Sequence, residues 1–213
     1  MNEYYSLTFK CSSAILKMSS EEEIFMTRVT KEPAQRRQEI LDTAMKLFYE
    51  KGYEKTSITD IAKAMGVAQG LCYRYFSSKE EIFDTAIDQY AEVLTNKMKS
   101  SVNFDMPLKE MIFNMSTFKD VETDDNFYYK VCHGTEKKKI HYQLSMKICE
   151  KMMPYATAIA EKAVETKVIK PINTKSLASY MIYGQLGILL DDTLTADEKL
   201  ENIKEMLNRL LNI

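Results

Sequence analysis

The feature that most constrains this chain is how little it holds with which to stop a helix. Its 213 residues include only six glycines and four prolines, the two residues that punctuate local structure most strongly. Between those breaks, apolar residues recur at three- and four-residue spacing, and Met, Lys, Glu, Leu, Ile and Ala, all good helix formers, are plentiful. The fold class expected is all-α with about nine helices. With 45% hydrophobic residues, a chain of this length can bury a core for one domain or two small ones.

Composition also narrows function. The four cysteines, Cys11, Cys72, Cys132 and Cys149, are scattered without a CxxC pair, which suits a reducing compartment better than a disulfide framework. The stretch Ser12-Ser13-Ala14-Ile15-Leu16 is too short for a signal-peptide core or a membrane span, so a cytoplasmic protein without membrane partners is expected. The formal net charge is -2, but residues 26–79 hold ten basic and six acidic side chains, a net of +4, while residues 1–25 carry -2 and residues 80–213 carry -4. A basic segment followed by an acidic body suits a protein that meets phosphates with one end only.

Residues 1–25 lack a helical period and read as a flexible arm, which is taken to extend to residue 30, or as the product of an upstream start codon. From Ala34 to Lys51, Ile40, Leu41, Ala44, Leu47 and Phe48 mark a first amphipathic helix that Gly52 stops. Ser57 then caps a second helix with Asp60 at its third position, and Gly66 ends it. A third runs from Ala68 to Phe76. Ser78 caps a long fourth helix whose first turn carries Glu80 and Glu81, favourable to the helix dipole. Asp105 with Pro107 predicts a helix to about Phe118, and further helices are expected over 121–133, 138–166 with a bend near Pro154, 174–190 and 195–211.

The second and third helices, joined through Gly66, have the layout of a helix-turn-helix, in which the second helix enters the DNA major groove and the first braces it. The third helix crowds Gln69, Gly70, Leu71, Tyr73, Arg74 and Tyr75 into a short run that packing alone does not explain. Gln and Arg match adenine and guanine edges, whereas Tyr hydroxyls and Lys79 suit phosphate oxygens. Gly70 allows close approach to DNA, and Ser57 and Thr59 at the start of the second helix suit a phosphate.

The whole run from Thr56 to Glu80, with its Ile61-Ala62, Gly66-Val67, Tyr73-x-x-Phe76 and Ser78-Lys79-Glu80 elements, resembles the signature of the tetracycline-repressor (TetR) family, and Ala44, Leu47, Phe48 and Gly52-Tyr53 also match it. The likeness spans about Arg36 to Ile87. Leu71 and Cys72 depart from it, standing where the family often has a small hydroxylated residue followed by Leu. The resemblance implies a helix-turn-helix domain over 31–80 and a ligand-binding, dimerising body over 81–213. It further implies a transcription regulator that binds a palindromic operator in double-stranded DNA as a homodimer and is released by a small-molecule effector.

For the dimer, the last two helices offer Tyr180, Tyr183, Gly184, Gly187, Ile188, Ile203, Met206, Leu207 and Leu210, the glycines permitting close approach. For an apolar or aromatic effector, the inventory is Met98, Phe104, Met111, Phe113, Met115, Phe118, Phe127, Tyr128, Met146, Tyr155 and Tyr183, residues that equally suit an ordinary core. Cys132, His133 and His141 match no common zinc spacing, so no metal and no cofactor is expected. With no nucleophile triad, phosphate loop or carboxylate pair, enzymatic activity is not expected either. Two other readings stand beside the repressor: a redox-responsive regulator acting through Cys72 or Cys149, and a helical interaction protein without specific DNA binding.

Overall fold

The computed structural model describes residues 31–100, 103–113, 126–133 and 138–211; among them are ten helical segments and no strand. The arm expected over 1–30 lies outside the described residues. The N-terminal segments are α1 (Pro33–Lys51), α2 (Ile58–Ala64), α3 (Gln69–Tyr73) and α4 (Lys79–Ser100). The body adds α5 (Leu108–Phe113), α6 (Phe127–His133), α7 (Lys138–Glu165), α8 (Thr174–Tyr183), α9 (Leu186–Leu189) and α10 (Ala196–Leu211).

Local chemistry explains most of these boundaries. Pro33 opens α1 where its missing N–H costs nothing. Ser57 and Asp60 form a full capping box at α2, Ser78 accepts the Glu81 N–H at 3.1 Å within the first turn of α4, and Asn173 caps α8 through the Ser176 N–H. Thr195 and Glu198 satisfy each other's backbone N–H groups at the start of α10. Gly66, with φ of +67°, closes α2 in a Schellman turn: its N–H donates to Lys63 and that of Val67 to Ala62.

Three boundaries differ from the sequence expectation. The Pro107 carbonyl already accepts the Met111 N–H, so α5 begins at Leu108. The Asp105 N–H instead bonds the Asn103 side chain. The recognition segment is shorter than 68–76, because Arg74 and Tyr75 donate to Leu71 and Cys72 in tighter three-residue turns. The helix expected over 174–190 breaks into α8 and α9 at Gly184. A Cβ placed there would fall 2.4 Å from the Tyr180 carbonyl oxygen, so the backbone closes more tightly than any side chain allows. Helix α7, by contrast, runs unbroken through Pro154.

Two apolar cores organise the packing. The first joins Ile40, Leu41, Phe48, Ile61, Cys72, Phe76, Ile82 and Leu94 with Val131 of α6 and Leu144 and Ile148 of α7, so it draws residues from both sides of residue 80. The second gathers Leu108, Met111, Ile159, Ala160, Leu177, Met181, Ile203 and Leu207. Helix α7 serves both, its N-terminal half in the first and its C-terminal half in the second, with Pro154 between them. A polar seam fastens α4 to α7: Lys151 lies 3.2 Å from Asp88 and 3.0 Å from Glu92, Lys147 lies 3.5 Å from Asp88, and Gln143 donates to Asp84.

Candidate nucleic-acid interface

Cys72 is fully buried and is the anchoring side chain of α3. Its neighbours along the helix turn outward: Gln69, Gly70, Tyr73 and Arg74 are exposed, Tyr73 at 52%. Leu71 and Tyr75 are half-buried. Four potential donors or close-approach positions thus share a solvent face, while the sulfur faces the core. Nothing lies within 4 Å of where a Cβ on Gly70 would stand, so the absence of a side chain there serves no packing need inside the chain.

At the start of α2, Thr59 is exposed, but Ser57 is occupied. Its hydroxyl donates to the Asp60 carboxylate at 2.5 Å, its N–H donates to the same oxygen at 2.9 Å, and its Oγ accepts the Asp60 N–H at 3.2 Å. These bonds hold the Asp60 carboxyl below its ordinary range, so it is ionised at neutral pH. A negative charge therefore stands where a phosphate was expected to dock, offset by Lys51 at 3.8 Å. Lys79 is likewise engaged: its Nζ donates to the Tyr53 carbonyl at 2.9 Å and lies 4.2 Å from the centre of the Tyr53 ring. That ring contacts Phe48 and Phe83. Lys79 thus ties the start of α4 to the loop after α1.

Sequence reasoning missed Arg37, which counted only toward the charge of the basic segment. Its Nη1 donates to the Tyr75 carbonyl at 3.1 Å and its guanidinium stacks 4.2 Å over Phe76. No local pattern announces a contact across 38 residues.

The other sequence-named residues disperse. Of the effector inventory, Met98, Tyr128 and Tyr155 pack against the first core and Met111 lies in the second. Phe104 contacts the Tyr155 ring, while Phe127, against Tyr49, and Met146 are exposed, and Tyr183 is half-buried. Phe113, Met115 and Phe118 lie outside the described side chains. An open groove of about 520 Å³ between α5 and α10 is lined by Lys109, Glu201, Lys204 and Arg209 among others, and by none of the effector inventory.

Of the dimer residues, Tyr180, Gly184, Gly187, Met206 and Leu210 are exposed, and Tyr183 and Ile188 half-buried. Ile203 and Leu207 are instead buried in the chain's own second core, while Met206 and Leu210, beside them on the same apolar side of α10, stand at its exposed edge. Among the described residues no group of three or more His, Cys, Asp or Glu is placed to hold a metal ion, and no helix is long and apolar enough to cross a membrane.

A short helix anchored from behind, its outer face polar and its predecessor capped and braced, defines a helix-turn-helix DNA-binding protein. Residues 40–86 match the family model described as bacterial regulatory proteins, tetR family. The chain is 24% identical to the HTH-type transcriptional regulator AcrR of Shigella flexneri, over 84% of this chain and 88% of that protein. It is 26% identical to the fatty acid metabolism regulator protein of Bacillus subtilis, over 74% and 80%. The solved structure of the fatty acid degradation regulator FadR from Bacillus halodurans shares the fold with a TM-score of 0.57, at 21% identity over 84% of this chain and 96% of that one. Residues 40–86 thus carry the DNA-binding domain of the tetR family, and the chain is a DNA-binding transcriptional regulator.

Proposed function

We propose that this regulator is a repressor that binds a palindromic operator as a homodimer and is released by a small-molecule effector. The observation that carries the DNA-binding part is the outward face of α3, where Gln69, Gly70, Tyr73 and Arg74 are exposed while Cys72 holds the helix to the core. In this reading Arg74 and Gln69 read base edges, Tyr73 and Tyr75 bond phosphates, and Leu71 packs at the groove wall. Thr59 contacts phosphate, Ser57 serves as a cap, and Lys79 braces the frame.

Dimerisation would pair α8 and α10 with their copies through Tyr180, Gly184, Met206 and Leu210, the exposed apolar and small residues of those helices. Two recognition helices about 34–36 Å apart would then enter successive major grooves. An apolar or aromatic effector bound in the body, residues 81–213, would release DNA by favouring a dimer with another spacing. Acyl compounds head the screen, because two of the relatives are regulators of fatty acid metabolism or degradation. The protein would act in the cytoplasm, with its operator.

The test is to enrich a preferred duplex from a random pool and measure binding of Tyr73→Ala and Arg74→Ala. Arg74→Ala is expected to lose roughly 5- to 150-fold in affinity, the scale of about 1–3 kcal/mol per base contact, and Tyr73→Ala to weaken binding to all sequences alike, as loss of a phosphate contact does, both with unchanged melting. Full affinity in both variants would show that α3 does not read the sequence.

A further inference from the structure

Helix α3 is five residues long and only Cys72 of it is buried. A helix that short does not hold itself in water, and one anchor leaves it free to turn about that point. The second anchor comes from α1. Arg37 crosses to the far end of α3, donating to the Tyr75 carbonyl at 3.1 Å and stacking on Phe76, which is buried and whose N–H donates to the Cys72 carbonyl at 3.0 Å. A cation suits the carbonyl end of a helix. A planar guanidinium can bond a carbonyl while lying flat on a ring, which an ammonium cannot reproduce.

We propose that Arg37 is a positioning residue for sequence recognition: it fixes the angle at which α3 presents the base-reading Gln69 and Arg74, without itself contacting DNA. This rests on α3 being the recognition helix. Its consequence is specific. Base contacts require exact placement, whereas phosphate attraction does not. Loss of Arg37 therefore lowers the preference for the chosen sequence and spares binding to DNA in general. An arginine that touched phosphate would do the reverse, weakening all duplexes alike and lowering the salt dependence.

The experiment enriches a duplex from a random pool with the full-length wild-type chain. Wild type, Arg37→Lys and Arg37→Gln are then titrated, over a salt series, with that duplex and with a random-sequence duplex of equal length, and thermal melting is recorded for each. Both variants are expected to lose about five-fold or more in the ratio of the two affinities, the scale of one misplaced base contact. Their salt slopes should match wild type. Retention of the wild-type ratio in Arg37→Lys overturns the proposal, as does an equal loss on both duplexes with a slope smaller by about 0.9, the mark of one phosphate contact. Loss of native melting in both variants overturns it too, making Arg37 a general structural residue. If wild type enriches no duplex, the DNA-binding reading itself falls, and the proposal with it.

Discussion

The phenol of Tyr128 on α6 donates to the Asp42 carboxylate of α1 at 2.8 Å, joining residues 86 positions apart, and Gln38 donates to the same oxygen at 2.9 Å. Burial, reinforced by the Asp42 charge, raises the phenol's pKa far above its ordinary value, so it remains a donor at any physiological pH. The Tyr128 ring also meets that of Tyr90 on α4. Helices α1 and α6 are thus joined by a polar contact as well as by the shared core. Tyr128→Phe is expected to cost about 1 kcal/mol, since Asp42 is exposed and water replaces part of the bond. A double-mutant cycle with Asp42→Ala, read by urea unfolding, should show coupling of about 0.5 kcal/mol or more. Additive losses would mean that the bond is not formed in solution.

Gly70 separates folding from recognition. With open space around its missing Cβ, Gly70→Ala should leave stability unchanged or raise it by up to about 1 kcal/mol through helix propensity. Operator binding should nevertheless weaken, because the methyl group would stand between α3 and the groove. Calorimetry beside a mobility shift decides; undiminished binding would place Gly70 away from the DNA.

Tyr180 is 63% exposed, Met206 53% and Leu210 41%. Met206→Glu with Leu210→Glu leaves the buried Ile203 and Leu207 untouched and should convert a dimer to a folded monomer in sedimentation, with operator affinity lost. A dimer that survives both charges would move the interface elsewhere.

Burial raises the Cys149 thiol pKa to about 11 and that of Cys72 above its ordinary value. Both are therefore protonated and poorly nucleophilic at neutral pH. In a Cys11→Ser background, a disulfide reagent should label neither until the protein unfolds. Fast native labelling, together with loss of operator binding after peroxide, would instead favour the redox-responsive reading.

Asp60, Glu81 and Glu198 are held below the usual carboxylate range by hydrogen bonds from Ser57, Ser77 and Thr195. A carboxyl whose pKa is lower in the folded state stabilises the fold fully above its unfolded value of about 4 and loses that contribution as pH falls through the lowered one. Melting temperature should stay flat from neutral pH to about pH 5 and drop below about pH 4. The combined Ser57→Ala, Ser77→Ala and Thr195→Ala variant should show a shallower acid decline. An identical decline in both would assign acid sensitivity to other groups.

Sequence alone determined what is local. The caps at Ser57 and Ser78, the stops at Gly52 and Gly66, and the apolar spacing of Ile40 to Phe48 each depend on near neighbours along the chain, so residue type and order suffice to read them. The exposed face of α3 was legible for the same reason: in a short helix pinned by Cys72, the direction of every other side chain follows from the helical period.

Only the tertiary structure decided the rest. It turned Lys79 inward onto Tyr53, brought Arg37 to Tyr75, joined Tyr128 to Asp42, and split the late helix at Gly184, where the chain's own backbone leaves no room for a side chain. It also sent Ile203 and Leu207 into the core while Met206 and Leu210 faced out. Those outcomes depend on which helix faces lie opposite each other across tens of residues. A helical period states that a face is apolar; only packing states what it meets.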